Sequence, residues 1–346
     1  MKRKTIVLNT DYPLIRTGLG RSGRLLAEYL HKTGKYEIIY YACGVPWDGG
    51  AEYSRFPYKL VGALSNNQQE MEQIMKDPVQ ARAASYGVFN ADKVIREFKP
   101  DVFITSNDSW ASQPFLDKVW WNKIHCIPHI TLDSLPFLLE QKKYIENSKT
   151  FFVWADFAEK EAKKLGYNNV KTLTGIVDSK SFYKLPSYEK LKLREKNNIT
   201  ADAFIAGFVF RNQLRKEVRP LMEGFAQFQK ENPKVKSYLL LHTYWSEPGG
   251  WALTRFMEEL GIKKESILTT HVCSHCHNYE VKSYAGDLVN CKFCGSEKTV
   301  TTCQVNNGIT EKELNEVYNL MDNYIHPANS MGLEIPLVES LYCDLP

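Results

Sequence analysis

Short apolar runs alternate with amphipathic stretches over the first half of the chain. Residues 5–9, Thr-Ile-Val-Leu-Asn, read as a strand buried on both faces. Further strands are predicted at 38–42, 102–105, 124–130 and 151–154. A Gly-rich turn at 17–20 follows the first strand, and Leu25, Leu26, Tyr29 and Leu30 then mark one face of a helix. The pair Lys99-Pro100 breaks the chain just before the strand at 102. Strands alternating with helices imply βαβ units and a mostly parallel sheet.

The pattern restarts near residue 203. Residues 204–210 read as a strand, and Leu221, Phe225 and Phe228 as the apolar stripe of a helix. Strands follow at 237–241 and 267–270, with a helix over 256–260 between them. Thr310 and Glu313 form a capping box for a helix that carries Leu314, Val317, Tyr318 and Met321, and 324–326 is a short strand. The Lys- and Ser-rich stretch 178–200 is expected to be a linker. The predicted architecture is therefore α/β with two domains, 1–180 and 181–346, and 346 residues suffice for two cores. No internal repeat or low-complexity tract is visible. Residues 339–342 open a helix and Leu345-Pro346 resembles the start of another strand, an ending expected of a truncated reading frame.

Composition narrows the class. With 43% hydrophobic and 12% aromatic residues the chain is not disordered. The net charge of 44 − 40 = +4 is too mild to argue for a DNA or membrane surface, though a local basic patch is compatible with it. No apolar run approaches the ~18 residues of a membrane span. Basic Lys2, Arg3 and Lys4 precede only Ile6-Val7-Leu8, too short for a secretory signal. The expected localisation is cytoplasmic.

Five of the eight cysteines fall within 273–303. Cytosolic chains rarely keep disulfides, so the cluster points to metal. Cys273-x-x-Cys276 and Cys291-x-x-Cys294 are separated by fourteen residues, one short of the ~15–20 usual for paired zinc knuckles. Gly295 permits the tight turn that aims two thiolates at one ion. Four thiolates make a closed, structural Zn²⁺ site. The segment 271–303 is thus expected to be a zinc ribbon inserted in the second domain. Free buried thiols are the plain alternative, and His275, His277 and Cys303 are substitutes for one ligand.

Four other segments carry candidate chemistry. Gly18, Gly20 and Gly23 precede a helix, where glycines let the backbone approach a ligand and free N–H groups suit an anion; the alternative is a plain turn. Arg211 and Lys216 follow the first strand of the second domain, where ligands of open α/β sheets bind, and these cations suit a phosphate; the alternative is a solvated basic loop. Asp133 follows an apolar strand and either orients an acceptor hydroxyl, serves as a base or caps a turn. Glu339 either favours a helix dipole or grips ribose hydroxyls.

Together these segments resemble the GT-B glycosyltransferases of the family-4 (glycosyl transferases group 1) type. The likeness is closest over residues 207–216 and 221–228, continues in Leu240-Leu241-His242-Thr243 with Gly249-Gly250-Trp251, and returns over 335–346. In the first half, segments 17–21, 101–105 and 175–178 with Phe182 sit where the family has similar ones. The resemblance implies two Rossmann-like domains, an acceptor-side first domain and a donor-binding second domain, with a nucleotide-sugar between them. It implies retaining transfer of a sugar to an acceptor hydroxyl. By that resemblance Arg211 and Lys216 hold the donor diphosphate, Glu339 contacts ribose, Gly18 and Gly20 lie near the diphosphate, and Asp133 lies beside sugar and acceptor. The acceptor is left open: a glycan, a lipid, a protein or a modified DNA base. No catalytic metal is expected, and the sequence has no DxD.

Two features depart from the family. Eight residues before Glu339 stands Met331, where the family has a Glu facing the donor sugar, and Glu334 stands where the family usually has Gly. A shifted carboxylate, Glu334, is one outcome; a catalytically weak sugar-nucleotide binder, or a protein using its zinc ribbon for interactions, is the other. The second departure is the ending, since the family continues past Pro346.

Overall fold

The computed structural model describes residues 3–346, so Lys2 lies outside the described residues. Two compact units are present. The first runs to Ile176 and includes Met331–Leu333; the second comprises Val177–Ser330 and Glu334–Pro346.

The first unit is built on β1 (Lys4–Asp11), β2 (Tyr36–Pro46), β3 (Lys59–Leu64), β4 (Val102–Asp108), β5 (His125–Thr131), β6 (Phe151–Val153) and β7 (Val170–Thr172). They form one seven-stranded sheet in the order β3-β2-β1-β4-β5-β6-β7, parallel throughout. Residues 5–10 of β1 are all buried, as expected of a strand covered on both faces. The pattern did not reveal β3, which carries Lys59 and Gly62, or the three-residue β7.

The first helix corrects the sequence reading. It spans Gly18–Lys32, so the glycines expected in a turn lie in its first turns, with Thr17 as N-cap. Its buried residues are Gly20, Ser22, Gly23 and Ala27, whereas Tyr29 is 67% exposed. A Cβ on Gly20 would come within 2.8 Å of the Ile15 carbonyl oxygen and 2.9 Å of that of Tyr12; on Gly23 it would meet Thr10 at 2.5 Å. Small residues let this helix lie close to the end of β1, while Leu26 and Leu30 of the predicted face pack half-buried against the core.

The second unit contains β8 (Phe204–Val209), β9 (Ser237–His242), β10 (Ile267–Cys273), β11 (Tyr279–Ser283), β12 (Val300–Thr302) and β13 (Asn323–Tyr324). Their order is β11-β10-β9-β8-β13, with β12 also on β10. Strand β10 starts parallel to β9 through Ile267 and Leu268, then pairs antiparallel with β11 and β12 up to Cys273. The cysteine segment therefore shares a core strand with the sheet and is not a separate appendage.

The stretch 178–200, expected as a linker, holds a helix over Ser187–Lys196. Its Arg194 is buried and donates from Nη1 to the Ala201 and Ala203 carbonyls and from Nη2 to Leu320 O and Asp322. A helix attached through Leu193, Arg194 and Lys190, whose ammonium bonds Met321 O and Asp322, leaves little hydrophobic signal. The capping box of Thr310 and Glu313 opens the helix Glu311–Leu320 as expected. The last helix is Ile335–Tyr342, after which Pro346 O accepts the Tyr324 N–H at 2.9 Å. Among the described residues no helix is long and apolar enough to cross a membrane.

Candidate functional site

In the second sheet the chain runs from β8 outward to β9 and β10 and later returns to β13 on the other side of β8. The strand order switches between β8 and β13, and such switch points open the ligand crevice of an α/β sheet at the carboxyl ends of the strands. The segments leaving those ends are 210–216 and 325–334. They are laced together: Arg215 Nη1 donates to Ser330 O at 2.8 Å, Asn329 N–H to Arg215 O at 3.2 Å, and Asn329 Nδ2 to Glu217 at 2.7 Å. Glu217 takes the left-handed φ of 46° that ends the short turn Leu214–Lys216 and starts the next helix.

This brings Lys216 Nζ to 2.5 Å from Glu334 Oε2, with side chains only 4% and 11% exposed. His326 Nε2 lies 3.7 Å from the same oxygen. Burial pushes the Glu334 carboxyl up, but His326 and Lys216 outweigh it and hold the group below its ordinary value. Buried Tyr324 donates to Val209 O at 3.2 Å. Desolvation first, then the charges of Glu334 and Glu339, push its phenol well up, so both carboxylates act on this one ring. Glu339 is 1% exposed and accepts the Tyr318 hydroxyl at 2.8 Å. It sits in the middle of the last helix, not at its start.

Arg211 turns to Glu247. Its Nε and Nη2 lie 2.8 and 2.6 Å from Glu247 Oε1, and the guanidinium is about half exposed. The neighbouring Asn212 is buried and exchanges two bonds with the Trp251 backbone, at 3.0 and 2.9 Å. A Cβ on Gly250 would sit 2.6 Å from Asn212 O, which explains the glycine before Trp251. Sequence reasoning missed Glu247 and His326: each is an isolated polar residue in a loop, with no spacing rule to mark it.

Gly18, Gly20 and Asp133 belong to the first unit. Gly20 N–H donates to Thr17 Oγ1 at 3.0 Å, and Thr17 in turn donates to Asp11 at 2.7 Å. Asp133 is half-buried and its Oδ1 accepts the N–H of Gly332, from the short stretch that joins this unit, at 2.7 Å. At the end of β5, His129 stacks on Trp154 with ring centroids 5.1 Å apart. Its Nε2 lies 2.7 Å from Leu173 O and so carries the proton, leaving Nδ1 to accept from Ser106 at 3.0 Å. Burial pulls this imidazole down to about 4.

In the cysteine cluster, the sulfurs of Cys273, Cys276, Cys291 and Cys294 all lie within 4.8 Å of one another. Cys273 and Cys294 are 3.8 Å apart, Cys276 and Cys291 3.7 Å. Sulfurs bound tetrahedrally at ~2.3 Å would be separated by about 3.8 Å, so the donor set fits one ion. The two loops have the same construction. His277 (φ 56°) and Gly295 (φ 74°) take left-handed conformations, and their N–H groups donate to Cys273 O and Cys291 O at 3.0 and 2.9 Å. The amides of His275 and Cys276 point at the Cys273 sulfur and that of Phe293 at the Cys291 sulfur, each at 3.4 Å. Cys303 packs instead in the apolar core of the second unit, and His275 bonds Ser296.

No protein-family model matches the chain, and no curated protein matches it by sequence. Solved structures do resemble it. Sucrose-phosphate synthase from Thermosynechococcus elongatus is 14% identical with a TM-score of 0.62, over 99% of this chain and 80% of that one. A glycosyltransferase from Rickettsia africae is 14% identical with a TM-score of 0.60, over 100% and 78%. Anabaena HepE, solved in complex with UDP, is 12% identical with a TM-score of 0.60, over 99% and 79%. At such identities the likeness establishes the fold: this is an α/β chain of the GT-B class, with a four-cysteine cluster in its second half.

Proposed function

We propose that the chain is a glycosyltransferase that moves a sugar, with retention, from a nucleotide-sugar to an acceptor hydroxyl. The observation that carries this reading is Lys216: an ammonium 4% exposed, held at the strand-order switch of the second sheet. Ligands of open α/β sheets bind at such a switch, and a cation kept there suits an anionic ligand such as a diphosphate, which would compete with Glu334 for it. The fold's likeness to glycosyltransferases, one of them solved with UDP, supports the same class.

In this reading Lys216 and Arg211 hold the donor diphosphate and stabilise the charge that grows on it as the glycosidic bond breaks. Glu339 takes ribose hydroxyls, Glu334 is the carboxylate that approaches the donor sugar, Gly18 and Gly20 lie near the diphosphate, and Asp133 serves the acceptor. Glycan, lipid, protein and modified-base acceptors are all compatible with the reading. Cys273, Cys276, Cys291 and Cys294 hold one Zn²⁺, which supplies folding energy because four thiolates leave no open coordination position. The transfer itself is assigned to side chains and involves no catalytic metal.

One observation favours a weaker activity. Glu334 already answers the charge of Lys216, and Glu247 that of Arg211. A diphosphate must compete with both carboxylates, as expected of a sugar-nucleotide binder with little turnover. Calorimetric titration and a transfer-and-hydrolysis assay with a panel of nucleotide-sugars test both readings. Saturable binding with turnover supports transfer, binding without turnover supports the weak binder, and no binding by any donor rejects both.

A further inference from the structure

The ribbon carries almost no apolar core of its own. Its small cluster is Cys273, Cys291 and Val300 with Cys276 and Val289, so most of it is the cysteines themselves. Between β11 and β12 the chain makes one isolated strand bridge, Val289 to Val300, is otherwise tied mainly by polar contacts, and passes through left-handed Gly286 (φ 95°) and Leu288 (φ 58°). Such a segment has few apolar contacts to order it without an ion, and a four-thiolate site is formed together with the fold it staples.

Asp287 lies in this segment, between the two cysteine pairs. Its Oδ1 accepts the Thr302 N–H at 2.9 Å and the Thr302 hydroxyl at 3.1 Å, while Oδ2 accepts the Ser246 hydroxyl. Thr302 Oγ1 also accepts the Trp245 N–H at 3.0 Å. Trp245 stacks on Tyr284 with centroids 4.2 Å apart and planes 7° from parallel. Ser246 and Trp245 belong to the loop after β9, and that loop grips the phosphate-binding candidate: Glu247 holds Arg211, Trp251 holds Asn212, and Trp251 Nε1 donates to Leu214 O at 3.1 Å. An unbroken set of contacts thus runs from the ribbon to residues 211–214.

We propose that a metal ion in the four-cysteine ribbon orders the 243–251 loop and, through it, the 211–214 backbone, with Asp287 as the positioning residue. The coupling itself stands on these contacts alone; its consequence for donor affinity rests on the sugar-transfer reading.

Hydrogen exchange on the intact protein, zinc-loaded or treated with a chelator under reducing conditions, tests the coupling. Chelation is expected to speed exchange at least about tenfold across 284–302 and across 243–251, Trp245 and Trp251 included, with β1 and β4 unchanged. Loss of protection in 284–302 with 243–251 still protected overturns the proposal. Asp287→Ala with its full equivalent of zinc should loosen 243–246 in the same way, and Asp287→Asn, which keeps an acceptor for Thr302, should recover most of the protection. Wild-type exchange of that loop in Asp287→Ala likewise overturns it. Inorganic pyrophosphate, titrated in the same two states, is expected to bind at least about threefold more weakly after chelation. If pyrophosphate binds neither state, the assignment of 211–216 as an anion site fails, while the exchange result still decides the coupling.

Discussion

Lys216 and Glu334 meet at 2.5 Å with both side chains nearly shut off from solvent, and they come from segments that leave two neighbouring parallel strands. The lysine charge is therefore partly spent before any ligand arrives. Glu334→Gln keeps an acceptor for the ammonium but removes its counter-charge. Losing one partner of a buried pair leaves the other uncompensated, so the variant should be about 3 kcal/mol less stable to urea, the low end for such losses because an acceptor remains. It should bind pyrophosphate more tightly, because the anion then meets an unanswered cation. Weaker pyrophosphate binding with a retained fold would show that Glu334 does not oppose the anion.

Acid should weaken both units, through histidines that folding keeps neutral. Burial pulls His129 in the first unit and His271 in the second down to about 4, from an ordinary value of 6.5. The unfolded chain then binds more protons, so the stability is fully present above pH 6.5, falls as pH drops toward about 4, and flattens below that. A shift of this size corresponds to roughly 3 kcal/mol per histidine. Glu334, held below its ordinary 4.5, adds a further loss that begins only under pH 4.5. Denaturation midpoints from pH 7 to 4 should show the fall, and His129→Gln should flatten it for the first unit alone. An unchanged slope in that variant would assign the acid limb to other groups.

The sequence carried the fold where periodicity was strong and lost it where packing was achieved by other means. Strands with continuous apolar runs, such as β1 and β8, are visible because both of their faces are covered. The first helix was visible and its face partly right: Leu26 and Leu30 pack half-buried against the core, but Tyr29 is exposed, and Gly20, Gly23 and Ala27 bury without adding hydrophobicity. The helix with Arg194 was hidden because its anchor is a charged residue satisfied by carbonyls. At the candidate site, fixed spacing made the four cysteines legible. The partners Glu247, His326 and Asp287 were not, because only the pairing of β8 with β9, the return of β13 and the ribbon, respectively, bring them to their targets.

Metal removal should act on the second unit rather than on the ribbon alone. Cys273 is the last residue of β10 and fully buried, and the same strand pairs with β9 inside the sheet. A ligand at the end of a core strand transmits its loss into that strand. Metal analysis should find about one zinc per chain, and X-ray absorption should find sulfur at about 2.3 Å. Cys273→Ser should lower zinc content and also lower the unfolding midpoint of the second unit, leaving the first unit's midpoint in place. A folded, zinc-free protein of unchanged stability would refute the site.

Lys216 and Arg219 lie three positions apart and should differ in what they do. Arg219 is in the helix Val218–Glu231, 43% exposed, and pairs with Glu223 and Glu259. Exposed pairs of this kind contribute at most about 1 kcal/mol, so Arg219→Ala should change little. If Lys216 holds the donor diphosphate as proposed, Lys216→Ala removes a preorganised donor to it and should cost on the order of 3 kcal/mol in transition-state stabilisation. A diphosphate is charged before and after bond cleavage, so donor affinity and turnover should both fall. Stability complicates the single variant, because it leaves Glu334 buried without its cation. The double variant Lys216→Met/Glu334→Leu resolves this: replacing both members of a buried pair by apolar groups of similar size should restore much of the stability. If the lysine holds the donor, nucleotide-sugar binding should stay lost in the stable double variant. Binding equal to that of Arg219→Ala would remove Lys216 from the site.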